Sequence, residues 1–239
     1  MNEEAMETEA TEHEIPVKLT TRAEVTAKIM AQRDLSGADM SGADLPGMKL
    51  AGLKMQKANL AGANLAGGLF AGADMDQADL SDADLTGAKM MGVNLGKALL
   101  RKVKMTAARV MGVNLGGADL TDADLTDARL MGTNLEGVMA RGVNLTAAQV
   151  VGSNFKNADF AGADFTSATL KRVDVTGADF SDVDTTGTRS GKVDWSLAKV
   201  APAKLPEPMP EPPAWLPGAI VGVGVVLLIL ALRNKRRKA

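Results

Sequence analysis

The chain contains no cysteine and no tyrosine, a single histidine, and only 3% aromatic residues. Without cysteine there are no disulfides, thiolate metal sites or cysteine nucleophiles, and the redox compartment stays open. The lone histidine, His13, sits among glutamates, so a Ser/His/Asp triad has no positioned base. Phosphate-cradling glycine loops ending in Lys-Ser or Lys-Thr are missing as well. The acidic N-terminus has no apolar core of a secretory signal before Thr21. Net charge is only −2, which suits neither a nucleic-acid binder nor a binder of acidic substrates. These absences point away from an enzyme, and no catalytic, cofactor or metal residues are expected.

What the chain does have is a period. Leu35, Met40, Leu45, Leu50, Met55, Leu60, Leu65 and Phe70 open a series of apolar residues in steps of five that runs to Phe180. Thr185 and Ser190 weaken it, and Trp195 falls back in phase. Two positions before most centres is a small residue, such as Ala78 or Ala118, and between them most often Asp or Asn. A helix needs apolar spacings of three and four and a half-buried strand a spacing of two, so neither accounts for a strict five. The aspartates recur with the same period, which marks them as corner residues bonding backbone N–H groups rather than as acid/base pairs or calcium ligands.

Segments such as Ala78-Asp79-Leu80-Ser81-Asp82 and Ala118-Asp119-Leu120-Thr121-Asp122 carry the unit A-(D/N)-L-x-x. In this the chain resembles the pentapeptide-repeat family over roughly residues 33–187. The resemblance implies an all-β fold: a right-handed quadrilateral β-helix with four repeats per coil. Twenty residues per coil stack Leu80, Leu100 and Leu120 directly, at a coil spacing of about 4.8 Å. Each buried leucine contributes about 1.5–3 kcal/mol before entropy is counted. No repeat folds alone, but stacked neighbours share one core.

The expected layout is an acidic disordered tail over 1–20, an N-terminal capping helix over 21–31, the β-helix over 32–195, a Pro-rich linker over 196–214, a transmembrane helix over 215–233 and a basic tail over 234–239. Thr21-Arg22-Ala23-Glu24 reads as a capping box that opens the lid helix. Trp195 is expected to close the last coil. Gly218–Leu232 is uninterrupted apolar sequence, with Trp215 before it and a basic cluster after it as interface anchors. Gly218 and Gly222 have the small-xxx-small spacing that lets two helices approach, and so mark a candidate homodimer contact.

Sorting residues by face separates an amide ladder (Asn94, Asn114, Asn134, Asn154) and two mostly Asp faces from a fourth face that differs. That face carries Lys49, Lys89, Arg109, Arg129 and Gln149, and beside them Met91, Met111, Met131 and Val151, each followed by glycine. Exposed apolar stripes mark contact surfaces and methionine adapts well to partners. Lys89, Met91, Arg109, Met111, Arg129, Met131 and Val151 are therefore the candidate face for a protein partner.

Three functions follow. The first is a single-pass, membrane-anchored scaffold, held in the bilayer through residues 215–233, with a protein rather than a nucleic acid expected as its partner. The second rests on the resemblance: some pentapeptide-repeat proteins imitate duplex DNA and modulate type II topoisomerases such as gyrase. Against it, residues 34–187 hold 19 acids and 14 bases, a weak excess for mimicry. The third is export, since Pro206–Pro212 followed by an apolar run and a basic cluster is similar to the PEP-CTERM sorting tail of bacterial surface proteins. The basic end favours a cytoplasmic C-terminus, but a long N-terminal domain without an export signal stays in the cytoplasm, where the rod is expected.

Overall fold

The computed structural model describes residues 18–210. Helix α1 spans Arg22–Gln32, one residue beyond the expected range at its C-terminal end. The capping box is formed: the Thr21 hydroxyl accepts the Glu24 N–H at 3.3 Å, and the Glu24 carboxylate accepts the Thr20 and Thr21 N–H groups, each at 2.9 Å. Arg33, left-handed at φ 48°, ends the helix by donating its N–H to the Ile29 carbonyl. Val25 is fully buried and Ile29 half-buried against the repeat core, so the helix covers a coil edge whose backbone groups would otherwise be open to pairing.

Beyond the helix the chain winds as a parallel β-solenoid. One face of each coil forms a three-residue strand: β1 (Leu69–Ala71), β2 (Lys89–Met91), β3 (Arg109–Met111), β4 (Arg129–Met131), β5 (Gln149–Val151), β6 (Thr169–Lys171) and β7 (Arg189–Gly191). They pair in parallel and in order, each residue opposite the one twenty positions on, as Phe70 opposite Met90 and Val110 opposite Leu130. The other three faces pair through single bridges with the same offset, such as Asn94 with Asn114, Asp79 with Leu99 and Lys104 with Asp124. The five-residue period explains this. Each centre donates its N–H to the coil ahead, as Leu80 to the Leu99 carbonyl and Leu100 to the Asp119 carbonyl, both at 2.7 Å, while its side chain fills the interior. The chain then turns a corner, where the Ala98 N–H reaches back to the Leu95 carbonyl at 3.1 Å.

Leu, Met, Val, Phe and Ala side chains at the centre and minus-two positions form one continuous buried column. Toward the C-terminal end it becomes aromatic. Phe160 stacks on Phe180 at 5.4 Å between ring centroids, and Trp195 sets its edge against Phe180 at 5.2 Å. The polar centres that weaken the period are buried but satisfied: Thr185 donates its hydroxyl to the Lys204 carbonyl at 2.6 Å, and Ser190 accepts the Trp195 indole N–H at 3.4 Å.

The chain does not leave the solenoid at Trp195. A 3-10 turn, Trp195–Leu197, adds one residue to the register, so that Phe180 donates to Val200, twenty positions on, where earlier centres reach nineteen. Pro202 and Pro206 are buried, and the Glu207 N–H donates to the Thr188 carbonyl at 2.8 Å. Residues 196–207, in the stretch read as linker, thus satisfy the edge of the last coil, and Trp195 does not close it alone. The short strand β8 is Glu207–Pro208. Among the described residues no helix is long and apolar enough to cross a membrane. The 215–233 segment, with Gly218 and Gly222, lies outside them, as do residues 1–17 and 234–239. Of the tail expected over 1–20, residues 18–20 instead join the first coil, where Lys18 bridges Asp39 and the buried Leu19 donates its N–H to the Asp39 carbonyl at 2.7 Å.

Candidate interaction face

Strands β2 to β5 carry the candidate residues. Each centre points inward, which leaves the flanking pair outward: Lys89 and Met91, Arg109 and Met111, Arg129 and Met131, Gln149 and Val151. The strand register places Lys89, Arg109, Arg129 and Gln149 in one column and Met91, Met111, Met131 and Val151 in the next. Met91, Met111 and Met131 are 45%, 43% and 46% exposed, while Val151 is half-buried. Gly92, Gly112 and Gly132 turn the corner after each methionine at φ close to 60°, a conformation that favours glycine. Lacking side chains, they leave one flank of the methionine ridge clear. Lys49 is set apart, since Leu69 comes between it and Lys89.

The cations of this column stand one coil apart and repel by roughly 1 kcal/mol per neighbouring pair at the dielectric of water. Among the described residues no ion pair offsets this. The ion pairs among the described residues are Arg101–Asp119, Arg141–Asp159, Lys156–Asp174 and Lys199–Asp179, and none includes Lys89, Arg109 or Arg129.

Sorting by column hides a second feature that runs around the coil. No Asp or Glu occurs between Asp84 and Asp119, and that stretch carries Lys89, Lys97, Arg101, Lys102, Lys104 and Arg109. All six are exposed. They form a basic belt around the middle of the solenoid, with acid-rich coils on either side. The signal was a plain run of unopposed charge along the sequence. On the face carrying Asp79 and Asp119 the belt is partly neutralised: Arg101 pairs with Asp119 of the next coil. Burial pushes the Asp119 carboxyl pKa up, but hydrogen bonds from Thr121 and the Arg101 guanidinium outweigh it and hold it below the ordinary value. The same column contains Leu99 and Met139, 41% and 47% exposed, on the side of the coil opposite the methionine ridge. Column sorting passed over these two because aspartate dominates their face.

The amide ladder forms as expected. Asn94 donates to Asp74, Asn114 to Asn94 and Asn134 to Asn114, each at 2.9 Å, and Asn154 donates to Asn134 at 3.0 Å. Each also accepts the N–H two residues on, as Asn114 from Gly116 at 3.1 Å. The aspartates do the same at other corners: Asp79 accepts from Ser81 and Asp124 from Thr126. Among the described residues no buried side-chain nitrogen or oxygen lacks a partner. The arrangement offers a surface on which charged and apolar columns alternate.

The model of the family described as pentapeptide repeats matches in 8 copies, over residues 34–67, 58–96, 98–137, 108–146 and 144–182, which together span more than half of the chain. No match was found among curated protein sequences. Among solved structures, HetL, a pentapeptide repeat protein involved in heterocyst differentiation regulation from the cyanobacterium Nostoc, is 21% identical; the match covers 76% of this chain and 98% of HetL, with a TM-score of 0.43. A trypsin-treated form of QnrB1, a plasmid-mediated fluoroquinolone resistance protein, is 20% identical over 64% of this chain and 79% of its own, with a TM-score of 0.46. A pentapeptide repeat protein of the Arabidopsis thaliana thylakoid lumen is 33% identical over 50% of this chain and 70% of its own, with a TM-score of 0.32.

Proposed function

The chain belongs to the pentapeptide-repeat family, and from that premise we propose that it is a non-catalytic, membrane-anchored scaffold whose solenoid binds a protein partner through the face of Lys89, Met91, Arg109, Met111, Arg129, Met131 and Val151. One observation carries the reading: three exposed methionines stand in register beside three cations that have no ion-pair partner among the described residues. Isolated exposed apolar residues need no explanation, but a contiguous ridge rimmed by charge fits a contact surface. The repulsion within the column is relieved when an acidic partner docks.

The anchor is read from the sequence of residues 215–233, where the apolar run is long enough to span a bilayer. On this reading the solenoid lies on the cytoplasmic side. The similarity of the tail to surface-sorting signals gives the alternative of an exported protein, and protease protection of the solenoid in intact cells separates the two.

The binding reading is tested by placing a photo-crosslinking side chain at position 111 and, as a control, at position 139 on the opposite side. Position 111 should give a discrete partner adduct that Arg109→Glu abolishes. An adduct pattern that is the same from both positions, or indifferent to Arg109→Glu, overturns it. A second reading, mimicry of duplex DNA toward gyrase, has the aspartate columns in its favour, but the basic belt divides the acidic surface in two. It requires inhibition or protection in a DNA supercoiling assay.

A further inference from the structure

We propose that the acidic N-terminal segment of this same chain, residues 1–17, docks on the basic belt and covers the cation and methionine columns of the candidate face. The proposal rests on that face being a docking surface and commits to its resident occupant. Charge complementarity is the first support. Residues 1–17 contain Glu3, Glu4, Glu7, Glu9, Glu12 and Glu14 and no lysine or arginine, while the belt between Asp84 and Asp119 has six bases and no acid. Apolar residues Met1, Met6 and Ile15 are interspersed, which suits a surface where a cation column adjoins a methionine ridge.

Reach is the second support. The described chain begins at Lys18, which bridges Asp39 in the first coil. From Asp39 the pairing rises through Asn59 and Asp79 to Leu99, three coil steps or about 15 Å, to the level of the belt. A segment of 17 residues extends to about 56 Å, so the distance along the rod and half-way around the coil, from the Asp39 column to the methionine ridge on the opposite side, is within its length. Being tethered, it faces the belt at an effective concentration in the millimolar range, so a weak contact suffices.

The test is methionine oxidation by dilute peroxide, read residue by residue in the full chain in detergent. Met139, as exposed as the ridge but on the opposite side, is the internal control. With the segment in place, Met91, Met111 and Met131 should oxidise about threefold more slowly than Met139 after correction for exposure, the factor for a site covered about two-thirds of the time. Changing all six glutamates to glutamine, or raising salt to about 0.5 M, should remove the difference. A zero-length carbodiimide link between Lys89 and one of the six glutamates is the second readout. Equal oxidation of all four methionines in the natural chain overturns the proposal. So does protection that survives the six substitutions, or that grows with protein concentration, which assigns the cover to another copy. Each of these results leaves the crosslinking test from position 111 to judge the docking face separately.

Discussion

Changing Asn114 to Ala tests whether the amide ladder holds its face together. Asn114 donates to Asn94 at 2.9 Å and accepts from Asn134 at 2.9 Å and from the Gly116 N–H at 3.1 Å. Three hydrogen bonds are lost, each with a net value of about 1 kcal/mol. Water can reach part of this exposed face, so the expected cost is about 2 kcal/mol. Gly116 supplies the control. Its φ is not in the left-handed region, but a Cβ there would come within 3.2 Å of the Asn114 Oδ1 and 3.3 Å of the Asn134 Nδ2. Gly116→Ala alone should therefore cost about 1 kcal/mol, because the ladder has to shift by a few tenths of an ångström. In the Asn114→Ala background the same change should cost nothing, or stabilise slightly through the stiffer unfolded chain. The assay is urea unfolding followed by far-ultraviolet circular dichroism on the two single variants and the double. Repeat arrays do not always unfold in one step, so amide hydrogen exchange at residue 116 should accompany it. Strictly additive costs would refute the idea that glycine is required there by the ladder.

Leu120→Ala in the middle of the core should cost about 2–5 kcal/mol, whereas Met91→Ser on the ridge should stay within about 0.5 kcal/mol, both by thermal unfolding. Ala107 sits at a corner with φ 56°. Left-handed backbone costs a residue with a Cβ about 1–2 kcal/mol, so Ala107→Gly should raise the melting temperature despite glycine's greater freedom when unfolded. Hydrogen bonds from Thr86, Thr176 and Thr186 hold the carboxyls of Asp84, Asp174 and Asp184 below their ordinary value of 3.8. Their stabilisation is complete above that value and is lost as pH falls through the lower folded values, so melting temperature should be flat from pH 7 to 5 and decline below about pH 4.

The repeat was fully legible because one rule, an apolar centre every fifth residue, sets the core, the corner and the pairing partner of each position. The capping helix was legible too, since Thr21 and Glu24 satisfy each other locally. The C-terminal end was less so. Pro202 and Pro206 read as linker residues, yet both are buried where the chain returns to cover the last coil. That depends on which backbone groups of the last coil still need a partner, a three-dimensional fact. The candidate face emerged from column sorting, but the belt did not, because columns compare residues twenty apart and the belt is a feature of neighbours within one coil. Leu99 and Met139 escaped for the related reason that single departures in an aspartate column look like noise.

Strict spacing between coils also makes the rod's surface behave like a dial. Excising one whole turn, residues 57–76 for example, would shorten the rod yet return every later side chain to its former bearing relative to α1. Excising only five would preserve all contacts downstream and swing the methionine ridge by a quarter revolution. The direction in which this protein looks is thus set by the count of residues upstream of Lys89, independently of the chemistry of the face itself.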